Sequence, residues 1–192
     1  MRIIAGLKRG MRLLSPKTDS SRPYTDRVKE SLFNVLMKYN LPLDAIVADL
    51  FCGIGSLGLE SLSRGAKFVC FVENDTTTAA ILKKNIEKIG FVEQAKIVRA
   101  SAFTVGAPVE PDGQKYNLVF VDPPYALSRD TAGDSALGKL LYLLQEQTVA
   151  DAIVIVRTAR PIETFDRYGK MTVIDRRQWG SMSISILRHL QE

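Results

Sequence analysis

The stretch Asp49-Leu50-Phe51-Cys52-Gly53-Ile54-Gly55-Ser56-Leu57-Gly58, residues 49–58, decides the fold that we expect for this chain. It follows the apolar run at 45–48 and leads directly into a helical pattern, which predicts a strand, a glycine turn and a helix. Gly53, Gly55 and Gly58 can adopt positive φ, and they let a ligand approach the backbone where the N–H groups at a helix start point outward. The sequence therefore predicts a nucleotide-like ligand at this turn.

Strands and helices alternate around that turn. The pattern predicts strands at 45–51, 67–72, 95–99, 116–122, 152–156, 171–177 and 182–189, and helices at 57–64, 76–89 and 135–146. Such alternation favours parallel pairing with right-handed crossovers. We expect an α/β fold with a doubly wound, Rossmann-like, mostly parallel sheet, and an antiparallel C-terminal hairpin at the edge of that sheet.

The first 40 residues have a different character. Apolar runs at 2–5 and 11–14 flank Lys8-Arg9-Gly10 and predict a hairpin with a basic tip, followed by a helix at 26–38 with Asp26 as its cap. Residues 1–38 hold nine Lys and Arg against three Asp and Glu. We expect residues 1–40 to be a basic appendage that docks on a polyanion and residues 41–192 to form one domain. A solvated basic face is the alternative.

The composition argues against several classes of protein and of functional site. The 192 residues are 46% hydrophobic and 24% charged, which is typical of a globular chain. Two cysteines and one histidine favour neither a disulfide framework nor a metal site, and they make a histidine-based triad improbable. Because no apolar stretch has the length of a membrane span, we expect a soluble, cytoplasmic protein with no membrane partner.

Two carboxylates favour one ligand over another. Glu73 ends the next strand, 20 residues after Gly53, where it could accept hydrogen bonds from ribose hydroxyls. The glycine spacing also fits a nicotinamide-dependent oxidoreductase. Asp49 would repel the pyrophosphate of such a dinucleotide, whereas it would attract the sulfonium and ammonium of S-adenosylmethionine (SAM), so we prefer SAM.

A second motif, Asp122-Pro123-Pro124-Tyr125, ends strand 116–122 and should lie in the same crevice as the glycine turn. The Asp122 carboxylate and the Pro123 carbonyl could accept both hydrogens of a planar amine, which would localise its lone pair toward an electrophilic methyl group. Tyr125 could stack on the base. The motif predicts methyl transfer to an exocyclic amine; a purely local Asp-Pro turn is the alternative.

At these residues the chain resembles class I SAM-dependent methyltransferases, and most closely the bacterial 16S ribosomal RNA guanine-N2 methyltransferases. The resemblance covers nearly the whole chain and includes Arg2-Ile3-Ile4-Ala5-Gly6 and the run from Arg22 to Asn34, Arg-Pro-Tyr-Thr-Asp-Arg-Val-Lys-Glu-Ser-Leu-Phe-Asn. It implies a monomeric enzyme that methylates one guanine of the small-subunit RNA, alone or in an assembly intermediate, with the basic hairpin touching RNA.

The candidate residues follow from the motifs and the resemblance together. The candidate catalytic residues are Asp122, Pro123 and Tyr125. The candidate cofactor-binding residues are Asp49, Phe51, Cys52, Gly53, Gly55, Glu73, Asn74, Ser101, Ala102 and Asp122. The candidate RNA-binding residues are Arg2, Lys8, Arg9, Arg12, Arg22, Tyr24, Arg27 and Lys29.

Three positions depart from the family pattern, and three other functions stay open. Ile54 stands where the family usually has Ser or Thr, and Ser101 stands where it usually has an Asp or Asn that faces the adenine. Arg157 stands where a Glu is expected.

The first alternative function is an amine methyltransferase that acts on another target, such as adenine N6 or a protein glutamine. The others are a dehydrogenase and a noncatalytic RNA-binding module.

Overall fold

The computed structural model describes residues 1–16, 24–109 and 113–191. Within these residues eight strands form one sheet in the order β3-β2-β1-β4-β5-β8-β7-β6. The parallel strands are β1 (Ile46–Leu50), β2 (Phe68–Val72), β3 (Ala95–Val98), β4 (Tyr116–Val121) and β5 (Thr148–Ala159). The antiparallel edge consists of β6 (Arg167–Tyr168), β7 (Met171–Trp179) and β8 (Met182–His189). The predicted α/β sheet with its C-terminal hairpin is therefore confirmed.

Helices cover both faces of the sheet, because its central strands are apolar on both sides. The helices are α1 (Asp26–Leu36), α2 (Ser56–Ser63), α3 (Thr76–Ile89), α4 (Ala102–Val105) and α5 (Ala136–Gln147). Apolar side chains of α1, α2 and α3 share one core with alternate strand residues such as Val47 and Phe71. Those of α5 share the other core with Ala48 and Val72. All five residues of β1 are buried, as expected for the centre of a doubly wound sheet.

The structure corrects several predicted boundaries. The cap of α1 is Thr25, whose hydroxyl accepts the Val28 N–H at 3.3 Å, and Asp26 is the first helical residue. A short 3₁₀ turn, Met37–Tyr39, follows α1. Strand β5 is longer than predicted because it continues on both sides of the apolar run, and pairing with β8 extends it to Ala159. The patterns did not predict α4 or β6, which are only four and two residues long.

The predicted basic hairpin is present in residues 1–14. One antiparallel bridge joins Arg2 to Arg12, and the Ile3 N–H donates to the Met11 carbonyl at 2.9 Å. Ile3 and Leu13 are buried in the core that α1 and α2 also form. The hairpin is consequently anchored on the sheet-covering helices by its own apolar residues.

Glu60 of α2 supplies the polar part of that anchor. Its carboxylate is fully buried and accepts the backbone N–H groups of Ile4 at 2.8 Å and Ala5 at 2.9 Å. It also pairs with Lys29 of α1, at 3.3 Å, and with Arg64, at 2.8 Å. One buried carboxylate thus connects the hairpin, α1 and α2.

The prediction that Lys29 contacts RNA is wrong. Its side chain is 1% exposed, and its ammonium donates to the Arg2 carbonyl at 2.7 Å in addition to pairing with Glu60. Burial lowers the pKa of Lys29, while the nearby Glu60 carboxylate raises it. The buried Glu60 charge needs a cation, so this lysine is inside the fold rather than on the docking face.

We expect Glu60→Ala to destabilise the fold strongly. The substitution removes the carboxylate that pairs with the buried Lys29 ammonium and accepts two backbone N–H groups, a loss of about 3–5 kcal/mol. Chemical denaturation followed by circular dichroism measures it, with Glu87→Ala on the exposed face of α3 as the matched control. Equal unfolding free energies for the two variants would refute the role assigned to Glu60.

Candidate active site

A cavity of about 1190 Å³ opens at the carboxyl ends of the parallel strands. Its wall includes Asp49 from β1, Glu73 after β2, Ser101 after β3 and Asp122 after β4. Ligands of α/β sheets bind at this edge. The cavity brings together most candidate cofactor and catalytic residues, namely Asp49, Phe51, Cys52, Gly53, Glu73, Asn74, Ser101, Ala102, Asp122 and Tyr125.

The glycines of the turn have two different roles. Gly53 has φ of +56°, and a Cβ added there would meet no heavy atom within 4 Å, so its backbone borders open space. Gly55 has φ of +85° and lies against buried Leu82 of α3, with which a Cβ would overlap. A Cβ at Gly58 would overlap the ring of Phe71. Gly53 therefore leaves its backbone accessible from the cavity. Gly55 allows close packing against α3, and Gly58 allows close packing against β2.

Two carboxylates hold this turn in place. Asp49 accepts the Gly58 N–H at 2.8 Å. Glu73 accepts the Gly53 N–H at 2.9 Å through one oxygen and the Asp75 N–H at 2.8 Å through the other. Each carboxylate oxygen has a second lone pair, so Glu73 can still accept hydrogen bonds from a ligand. The ligand-facing role of these acids stays a prediction, and the structure shows in addition their hydrogen bonds to the turn.

The cavity wall is acidic. Burial raises the pKa of Asp49, and the charges of Asp122 and Glu73 raise it further, although the Gly58 N–H opposes them. Burial also raises the pKa of the Cys52 thiol. A positively charged ligand would relieve this repulsion between carboxylates. Among the described residues no group of three or more His, Cys, Asp or Glu side chains could hold a metal ion.

The Asp122-Pro123-Pro124-Tyr125 segment follows β4 and turns into a short 3₁₀ helix at Tyr125. Asp122, Pro124 and Tyr125 line the cavity, and Pro123 does not. The Asp122 side chain is 17% exposed and forms an ion pair with Arg157. Burial raises the pKa of Asp122 to about 6, while the Arg157 guanidinium opposes that rise.

The sequence patterns did not predict that Tyr24 and Arg157 lie near Asp122. The Arg157 guanidinium lies 4.9 Å from the ring centre of Tyr24 and 5.3 Å from that of Tyr125. Tyr24, predicted to bind RNA with the basic segment, is 5% exposed and belongs to the cavity wall. The position of Arg157 directly after an apolar run at 152–156 was the available signal, because that run ends at the same sheet edge.

The basic candidates outside the cavity are mostly exposed. Arg2, Arg9, Arg12 and Arg27 lie at the surface, and Arg2 pairs with Asp26 at 2.7 Å. Lys8 is half-buried, with its ammonium 5.6 Å from the ring centre of Phe91. Arg22 lies outside the described residues.

Among the helices of the described ranges, none has both the length and the hydropathy of a membrane span.

Comparison with known proteins places the chain in a family. The family described as "Conserved hypothetical protein 95" matches residues 1–188. The chain belongs to this family. A Haemophilus influenzae protein named "Ribosomal RNA small subunit methyltransferase D" is 44% identical over 65% of this chain and 64% of its own length. The resemblance to small-subunit ribosomal RNA methyltransferases is thus confirmed, and guanine N2 as the target stays a prediction.

Two further relatives match the chain over nearly its whole length. The Bacillus subtilis protein YlbH is 29% identical, with 98% of each chain covered. A solved structure of the Escherichia coli protein yhhF is 29% identical and superposes with a TM-score of 0.81, covering 100% of this chain and 99% of that one. The superposition with yhhF therefore extends over the N-terminal hairpin and the antiparallel edge as well as the parallel strands.

We expect alanine at Gly55 and Gly53 to act differently. Gly55→Ala combines positive φ with overlap against Leu82 and should lower the free energy of unfolding by roughly 2–5 kcal/mol. Gly53→Ala has positive φ but open space, so about 1–2 kcal/mol is expected. Urea denaturation of both variants checks the order, and a larger loss for Gly53→Ala would contradict the assigned roles.

Proposed function

We propose that this chain transfers a methyl group from SAM to the exocyclic N2 amine of a guanine in 16S ribosomal RNA. The observation that carries the proposal is the meeting of two motifs in one cavity. The glycine turn with its carboxylates lines this cavity, and so do Asp122 and Tyr125. In this proposal residues 41–192 form the catalytic domain, and residues 1–40 are its RNA-docking appendage.

The residues of the cavity fit SAM. Gly53 offers backbone next to open space, Glu73 has free lone pairs for ribose hydroxyls, and Asp49 offers negative charge for the cationic end. The rings of Phe51 and Phe103, 4.8 Å apart, add an apolar wall near Ser101 and Ala102 for the adenine. When bound, SAM supplies an electrophilic methyl group on a sulfonium.

The second motif would hold and activate the acceptor. An exocyclic amine conjugated to a base is a weak nucleophile, because its lone pair is delocalised into the ring. The Asp122 carboxylate can accept one of its hydrogens. The Pro123 carbonyl is the predicted acceptor of the other, although Pro123 is not among the residues that line the cavity. Negative charge on Asp122 then offsets the positive charge that develops on nitrogen during attack. Tyr125 can stack on the base and orient it for in-line transfer.

Ribosomal RNA as the substrate is supported from two sides. The Haemophilus influenzae relative carries that substrate in its name. The exposed arginines of the hairpin and α1 provide cations for phosphates. The choice of guanine N2 as the methylated atom rests on the family resemblance. Detection of methyl groups on adenine N6 instead would replace that choice.

Asp122 and Glu73 should separate chemistry from cofactor binding. Asp122→Ala should keep SAM affinity and lower the single-turnover rate about 10²–10³-fold, because the reacting amine no longer has its charged acceptor. Glu73→Ala should weaken SAM binding roughly 10–100-fold, because the ribose hydroxyls no longer have theirs. Calorimetry and methyl transfer to undermethylated small-subunit RNA measure both, with exposed Asp134→Ala as the control. Full turnover by Asp122→Ala would refute the proposed chemistry.

Docking should depend on the exposed cations of the hairpin. Arg9→Ala combined with Arg12→Ala should weaken RNA binding and flatten its salt dependence by about one for each phosphate that is no longer neutralised, while SAM affinity stays unchanged. The matched control replaces two exposed lysines elsewhere, Lys115 and Lys139, with alanine. Equal salt slopes for the two double variants would assign the hairpin to a solvated face instead.

A further inference from the structure

The register of the sheet places Arg157 beside Asp122. Strands β4 and β5 are parallel neighbours in which Val121 pairs with Val156, so the next residues along the two strands are Asp122 and Arg157. Their side chains form an ion pair in which the arginine is 10% and the aspartate 17% exposed. The pair lies in the cavity wall, where the resemblance predicted a glutamate at position 157.

Two aromatic rings from separate segments contact the same guanidinium. Tyr24 precedes α1 and Tyr125 follows β4, and their ring centres lie 4.9 Å and 5.3 Å from the guanidinium carbon. Rings at these distances attract a cation and restrict the plane of a guanidinium. We call Tyr24, Asp122, Tyr125 and Arg157 the Arg157 cluster. Arg157 is thus held on several sides while it contacts the Asp122 carboxylate.

The charges around Asp122 are unequal in sign. Tyr24 contributes a phenol from the segment before α1, and burial together with the Asp122 charge raises the pKa of that phenol, so it stays neutral. Asp49 contributes a second carboxylate from β1; burial raises the pKa of Asp49, and the charge of Asp122 raises it further. Tyr125 contributes another phenol. Within this set Arg157 is the one cation, and a guanidinium keeps its charge across the physiological pH range.

We propose that Arg157 is a positioning residue that orients the Asp122 carboxylate and keeps it ionised for the incoming amine. This role rests on the proposed function of Asp122 as the amine acceptor. The aromatic contacts fix the guanidinium, and the guanidinium fixes the carboxylate. Burial would otherwise favour the neutral carboxyl, which carries no charge to offset the positive nitrogen. The Asp122 pKa of about 6 reflects both effects.

Titration of Asp122 without substrate tests whether Arg157 keeps the Asp122 carboxylate ionised. Carboxyl ¹³C resonances are followed against pH, and the Asp122 signal is assigned by its loss in D122N. We expect R157Q to move the midpoint upward by roughly one to three pH units and R157K to stay near the native value. The matched control is R188Q, because Arg188 also lies over a tyrosine ring, that of Tyr39 at 5.5 Å, away from the cavity. An unchanged midpoint in R157Q overturns the proposal.

The pH dependence of single-turnover methyl transfer tests the catalytic half. The acid limb should move upward in R157Q by the same amount as the titration midpoint, while R157K keeps the native limb with a lower plateau, because it retains charge but not the planar stacking. A limb that moves equally in R157K and R157Q overturns the proposal, as does a faster rate in R157Q at all pH values. If R157Q does not fold, R157M removes the charge and keeps the apolar stem.

The two experiments separate this inference from the function on which it rests. A native protein that binds SAM but methylates no RNA refutes the proposed function. The titration then decides whether Arg157 controls Asp122. Calorimetric SAM affinity should be unchanged in R157Q, and a loss of affinity equal to that of Glu73→Ala would overturn the positioning role in favour of a cofactor contact.

Discussion

The site depends on two carboxylates that accept backbone N–H groups of the glycine turn. Asp49 accepts the Gly58 N–H, and Glu73 accepts the Gly53 N–H, each within 3 Å. Asp49 lies near the end of β1, and Glu73 directly follows the parallel neighbour β2, in which Phe71 pairs with Asp49. Each charged acceptor contributes more than a neutral one would. The same groups therefore hold the turn and give the cavity its negative charge.

The buried carboxylate of Glu60 connects the N-terminal hairpin to the helices that cover this sheet. Glu60 binds the hairpin backbone and pairs with Lys29 of α1. The anchored segment leads to Tyr24, whose ring lies in the cavity wall over Arg157. One residue of the basic segment therefore contributes to the wall of the cavity that contains Asp122.

Arg157 is one of the three positions that depart from the pattern the resemblance implies, and the structure shows what an arginine there contacts. A glutamate would place a second carboxylate beside Asp122, in a wall that already contains Asp49. The arginine reverses the local charge and brings two tyrosines into contact with it. The positive neighbour limits how far burial can favour the protonated carboxyl.

Local patterns determined most of the fold. Apolar runs, helical spacing and glycine stops are short-range signals, so they predicted α3 and the alternation of parallel strands with helices. The rule that strand ends meet at one edge then predicted a shared site for Glu73 and Asp122. Only the tertiary structure decided which cations face solvent and which neutralise buried acids. Lys29 is inside the fold, Tyr24 lies in the cavity, and Arg157 pairs with Asp122. These outcomes depend on partners from distant segments, and no local pattern records which charges will be desolvated together.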